Sequence, residues 1–113
     1  MSRFVQSASL VVAVFVLILA LSGCSPSASE ERGQELFDLH CALCHEAPTP
    51  DLKKQPPKLE GLFKPKRLPS GALATDKQVR KTIIEGLRTM PAFDQRLSDQ
   101  DIDDLVAYLH TLK

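Results

Sequence analysis

The sequence predicts an all-α domain, and three observations carry that reading. Ser98 stands ahead of Asp99 and Asp101, and behind them Ile102, Leu105, Val106, Leu109 and Leu112 recur at helical spacing. Thr75 and Gln78 have the spacing of a capping box in front of Val79, Ile83 and Leu87, which recur every four residues. No segment alternates apolar and polar residues convincingly enough for a strand, and no internal repeat is present.

The elements follow in order. Arg3 opens a short positive region, and Leu10 to Leu21 is an unbroken apolar run of twelve residues. That run suits the hydrophobic part of an export signal and is short of the roughly 20 residues that span a bilayer. Leu21-Ser22-Gly23-Cys24 resembles the lipobox of a bacterial lipoprotein, which implies a signal peptide over 1–23 and a lipid on Cys24. An uncleaved anchor helix over Phe4 to Leu21, blemished by Gln6, Ser7 and Ser9, is the alternative. Either way the domain is expected at a membrane surface beyond the export machinery, and its lipid anchor is durable with more than one acyl chain. Residues 24–30 then read as a flexible tether, small and polar at Ser25 to Ser29, and residues 31–113 as the domain.

A first helix is expected from Glu30 to about His40, with Glu30 and Glu31 near its positive end and Leu36, Phe37 and His40 on one face. From Glu46 to Ala74 the chain holds most of its prolines and only short apolar clusters. Leu59, Leu62 and Phe63 form at most a single turn there. A loop of this length needs a surface to pack on. The second main helix follows Thr75, is weakened at Gly86 and is stopped by Met90-Pro91. Ser98 caps the third. A helical domain this small, with no Trp, has a modest core and calls for a staple or a cofactor.

Cys41-Ala42-Leu43-Cys44-His45 answers that need. A redox dithiol would expect a βαβ context, which is missing, and a zinc site would need a second ligand pair, which is also missing. A histidine directly after the second cysteine is the attachment pattern of a c-type haem. Two thiols at this spacing bond the two vinyl groups on one porphyrin edge, and His45 ligates the iron. The chain has three cysteines: Cys24 for lipid, Cys41 and Cys44 for haem, and none left for a structural disulfide. Met90 is the methionine that remains after the signal, and Pro91 biases it toward an extended backbone. Its thioether is the candidate ligand for the other face of the iron, against the ordinary alternative of core packing.

From Gly33 onward the chain resembles a class I monohaem cytochrome c of the small bacterial kind. The resemblance implies a cytochrome c fold, with three main helices and a long proline-rich loop wrapped around one covalently bound haem c. It implies that Gly33 and Phe37 pack against Leu105 and Tyr108 of the last helix. Pro57-Lys58-Leu59 matches the segment whose proline carbonyl accepts the Nδ1 proton of the haem histidine, here His45. His45 and Met90 are the implied axial ligands. Glu46 and Pro56 stand where the family favours Gly. No Trp or Tyr lies in the middle loop to bond the haem propionates; Lys64, Lys66 and Arg67 are candidate substitutes, with ordinary solvated side chains as the alternative. His40 and His110 read as surface or packing residues.

The function so implied is one-electron transfer, not catalysis, because two filled axial positions leave no place for a substrate. His–Met ligation raises the reduction potential, and Leu59, Leu62, Leu68, Ile83, Phe93 and Leu97 are expected as pocket walls. The partners are an electron donor and an electron acceptor, both proteins, with the carrier itself monomeric or weakly associated and working in respiration. A docked subunit of an exported oxidoreductase and a haem-based gas or redox sensor stay open. Net charge is near zero, which argues against nucleic acid. It is unevenly spread: residues 24–50 carry one basic and five acidic groups, and residues 51–88 carry ten basic and four acidic. Such segregation can steer encounter with a partner.

Overall fold

The computed structural model describes residues 23, 25–47 and 52–113. Cys24 and the expected signal up to Ser22 lie outside the described residues. Four helices follow: α1, Ala28–His40; α2, Ala42–His45; α3, Asp76–Glu85; and α4, Asp99–Thr111. Among the described residues there is no strand, only isolated bridges between Arg67 and Leu73 and between Leu87 and Met90. The all-α expectation holds, and no described helix is long and apolar enough to cross a membrane.

α1 begins earlier than its acidic pair suggests. Ser27 caps it: the Ser27 hydroxyl accepts from the Glu30 amide at 3.2 Å, and the Glu30 carboxylate accepts from the Ser27 amide at 2.7 Å. This reciprocal pair satisfies two backbone donors that a bare helix start would leave without partners. Ala28, Ser29 and Glu30 therefore belong to the helix, and the expected tether loses its last three residues to it.

α1 crosses α4 at Gly33. A Cβ there would lie 2.0 Å from the Asp104 carbonyl oxygen and 2.8 Å from the Tyr108 Cβ, so only glycine allows the approach. The Phe37 ring meets the Tyr108 ring at 5.3 Å, tilted by 54°, in the range where aromatic pairs attract. The expected partner Tyr108 is in place. At Gly33 itself the backbone of Asp104 comes nearest, while Leu105 is buried in the shared core with Phe37 and Ile102. Side chains of this size each contribute about 1.5–3 kcal/mol when fully buried.

Asp104 is 1% exposed, and it is the charge that sequence reasoning passed over. Arg32 Nε donates to it at 2.8 Å, the Ser29 hydroxyl at 2.5 Å and the Gln100 amide at 3.0 Å. The Arg32 hydrogen bond first, then those of Ser29 and Gln100, hold its carboxyl down to about 2 from an ordinary 3.8, against the opposing effect of burial. A carboxylate that takes up its proton less readily folded than unfolded stabilises the fold fully above its unfolded value. That contribution is lost as the pH falls through the folded one. Acid unfolding followed by circular dichroism should thus steepen between about pH 4 and pH 2, and Asp104→Asn should flatten that slope. Equal slopes in the two proteins would count against this role.

α3 is capped by Thr75, whose hydroxyl accepts from the Gln78 amide at 3.3 Å, and buries Val79 and Ile83. It ends at Glu85, so Leu87 is not the third residue of its apolar face. Gly86 turns the chain with φ +70° after its amide closes onto the Thr82 carbonyl. The proline-rich loop is held to the end of α4. The Gly61 amide donates to the Leu112 carbonyl at 3.0 Å, and Phe63 stacks on His110 at 3.7 Å. The Leu62 amide closes the expected single turn on Leu59 at 3.0 Å.

Candidate functional site

The site is assembled at the far end of α1. The Cys41 amide still closes onto the Phe37 carbonyl at 2.8 Å, but Cys41 itself departs from helical geometry. α2 restarts at once, with the Cys44 and His45 amides both donating to the Cys41 carbonyl at 3.1 and 2.9 Å. Successive helical residues are rotated by roughly 100°, which brings Cys41, Cys44 and His45 to one side. Both thiols are free. Cys41 rests against the core, and burial foremost, with Cys44 beside it, pushes its thiol up to about 11. Cys44 is exposed.

His45 Nδ1 lies 2.8 Å from the carbonyl oxygen of Pro57. A carbonyl can only accept, so Nδ1 carries a proton here, and in the neutral imidazole Nε2 is then the nitrogen with the lone pair. The contact spans twelve residues and ties the loop to the attachment helix. It also sets the orientation of the ring.

Met90 is reached by a different route. The Leu87 amide donates to the Met90 carbonyl at 3.1 Å, and the Met90 amide returns the bond to the Leu87 carbonyl at 3.0 Å. Arg88 and Thr89 form the tip of this tight turn, with Arg88 at φ 57°. Behind the turn the Phe93 amide donates to the Ile83 carbonyl at 3.0 Å. A side chain at Gly86 would place its Cβ 2.6 Å from the Met90 carbonyl oxygen. The turn therefore requires glycine both for its φ and for its space. Met90 is half-buried and packs against the core.

The expected walls belong to the core cluster against which Cys41 and Met90 pack. Leu68, Ile83, Phe93 and Leu97 are buried, and Leu59 and Leu62 pack against them partly exposed. Two free thiols, an imidazole anchored through Nδ1, a thioether and the adjoining apolar cluster are a donor set that fits a haem. Among the described residues no cluster of His, Cys, Asp and Glu could hold a metal ion instead. Lys66 and Arg67 are used locally: Lys66 Nζ donates to the Glu60 carbonyl at 3.0 Å, and Arg67 donates to the Gly71 carbonyl at 2.9 Å. Lys64 lays its aliphatic stem beside Gly61. His40 is exposed and meets Phe93 edge-on. His110 Nε2 is 2.7 Å from Asp76 on α3, a contact between elements that no local pattern announces.

Residues 28–109 match the family described as "Cytochrome C oxidase, cbb3-type, subunit III". A cytochrome c6 from Picosynechococcus sp. is 32% identical over 110 residues, covering 88% of this chain and 89% of that protein. A cytochrome c6-like protein from Nostoc sp. is 28% identical over 112 residues, covering 96% and 92%. Among solved structures, cytochrome c6 from the diatom Phaeodactylum tricornutum superposes with a TM-score of 0.54 at 30% identity, covering 73% of this chain and 91% of its own.

Proposed function

We propose that this chain, which belongs to the cytochrome c family and binds one covalent haem c, is a one-electron carrier with His45 and Met90 as axial ligands, tethered outside the cytoplasm and serving respiration. When bound, the haem supplies a single iron that gains and loses one electron. Cys41 and Cys44 would hold the porphyrin through thioether bonds, His45 would offer Nε2 to the iron, and Met90 would offer its thioether sulfur as the second ligand. The apolar walls keep water away and favour the lower-charged state. The observation that carries this reading is the 2.8 Å contact from His45 Nδ1 to the Pro57 carbonyl, which leaves Nε2 as the coordinating atom and makes the imidazole a better donor. With His45 and Met90 both as ligands, the iron would offer no vacancy to a substrate.

The reduced holoprotein is expected to keep its spectrum under carbon monoxide at neutral pH. A spectral change on adding the gas would mean that Met90 yields its place, which is the behaviour of a sensor.

Cys24 is the proposed lipid site, on the strength of the Leu21-Ser22-Gly23-Cys24 pattern. Cys24→Ser should move the protein from the membrane fraction to the soluble one with its haem spectrum intact. Retention in the membrane would instead favour an uncleaved anchor over Phe4 to Leu21. A second reading is a permanently docked electron-transfer subunit, favoured by the oxidase subunit named in the matched family. Migration at the mass of the single chain in mild detergent supports the free carrier, and co-migration with an oxidoreductase supports the subunit.

A further inference from the structure

The turn that carries Met90 is strained at its tip. Arg88 sits at φ 57°, and among the described residues it is the one non-glycine with a positive φ. Reciprocal bonds between Leu87 and Met90 close the turn, so Arg88 and Thr89 are its two central residues. A positive φ at the first of these alone is the mark of a type II′ turn, and glycine is the residue that position favours. A Cβ there is pressed against a backbone carbonyl oxygen. No contact repays the strain. Arg88 is exposed, and among the described residues its guanidinium has no hydrogen bond or ion pair. Unrepaid backbone strain next to a functional group points to a use in that site.

The flanks of the turn are firm. The Gly86 amide ends α3 on the Thr82 carbonyl at 2.8 Å, and the Phe93 amide is fixed to the Ile83 carbonyl at 3.0 Å. Ile83 and Phe93 are both buried. Between these anchors the tip is closed by the two bonds that link Leu87 and Met90, and both central residues are in water. Opening it leaves α3 and the core in place. Water takes over the two backbone bonds at little net cost, and Arg88 relaxes to an ordinary negative φ.

We infer that Arg88 is a strained tip that makes Met90 an exchangeable ligand: the closed turn offers the thioether under strain, and opening relieves the strain and yields the iron to a small nitrogen ligand. This rests on the reading of Met90 as the second axial ligand. In the exchange one sulfur–iron bond breaks, one nitrogen–iron bond forms, and the iron keeps its oxidation state. The oxidised protein shows it best, because the thioether favours the reduced state.

The oxidised full-length holoprotein is titrated with imidazole, and the loss of the weak sulfur–iron band is followed. Arg88→Gly takes the same φ without strain and should need about fivefold more imidazole at the midpoint, less than the full strain because glycine is also freer in the open turn. Arg88→Ala keeps the strain and loses the charge, so its midpoint should stay within about twofold of the unaltered protein's. Equal midpoints for Arg88→Gly and the unaltered protein would overturn the inference. So would a shift in Arg88→Ala as large as that in Arg88→Gly, which would assign the effect to the side chain. A band that imidazole does not displace from the unaltered protein would overturn it as well. Failure of the ligand assignment itself would show differently, as an unaltered oxidised protein with no sulfur–iron band to lose, and the inference would fall with it.

Discussion

Replacing Met90 with leucine is expected to abolish the weak sulfur–iron absorption band of the oxidised protein and to lower its reduction potential. Leucine is close to methionine in volume, so the packing of Met90 against the core is largely kept. What is removed is the soft donor that favours the reduced state. Axial ligands set haem potentials over a span of about 0.8 V, so a fall on the order of 100 mV is expected. For a one-electron couple that is about a fiftyfold shift in the ratio of reduced to oxidised protein. The reduced variant should now bind carbon monoxide, since one side of the iron is open. Met90→Ala should show the same spectral loss with a further loss of stability from the cavity. An unchanged band and potential in both variants would remove Met90 from the ligand set.

Gly33→Ala is expected to have the largest effect on folding of any single methyl group added to this chain. The new Cβ would fall 2.0 Å from the Asp104 carbonyl oxygen and 2.6 Å from its carbon, with the Tyr108 Cβ at 2.8 Å. Two of these atoms are helix backbone and the third is rigidly attached to it, so no flexible side chain can give way. The helices must separate, which strains the Phe37–Tyr108 contact and the Arg32–Asp104 pair together. Overpacking ordinarily costs about 1–3 kcal/mol, and here the upper end applies even after alanine's better helix propensity, about 1 kcal/mol, is credited. A domain of this size loses roughly 4–8 °C in melting temperature per kcal/mol. A fall of about 15 °C in the holoprotein, read by circular dichroism, is therefore expected. A fall of only a few degrees would show that α1 and α4 can slide without loss.

Much of this was legible in the sequence, because the features concerned are local. Capping patterns at Thr75 and Ser98, the spaced apolar residues behind them and the five-residue attachment motif each lie within a turn or two of helix. The start of α1 was legible as well, in Ser27 followed three residues later by Glu30, though the acidic pair at Glu30 and Glu31 drew the boundary too late. Leu87 misled because its spacing continued the apolar face of α3, while Gly86 had already turned the chain away.

Asp104 was hidden for a different reason. It is one of several acidic residues in α4, and in sequence it resembles Asp101 and Asp103. Only the crossing at Gly33 buries it and brings Arg32 and Ser29 to it from more than seventy residues away. The same holds for Phe63, Asp76 and His110, which meet from the loop, α3 and α4.

The sequence by itself determined which groups are available to this protein: two thiols and an imidazole in one motif, a lone thioether before a proline, and helices with definite faces. These follow from side-chain chemistry and from the fixed rotation of a helix. Through its resemblance the sequence also pointed to the Pro57 carbonyl as the partner of His45 Nδ1, and the fold brings the two to 2.8 Å. The tertiary structure alone decided that a buried carboxylate joins α1 to α4, and that Asp76 on α3 meets His110 on α4. Each of these depends on contact between segments distant in the chain, and no local pattern encodes a contact whose other half lies elsewhere.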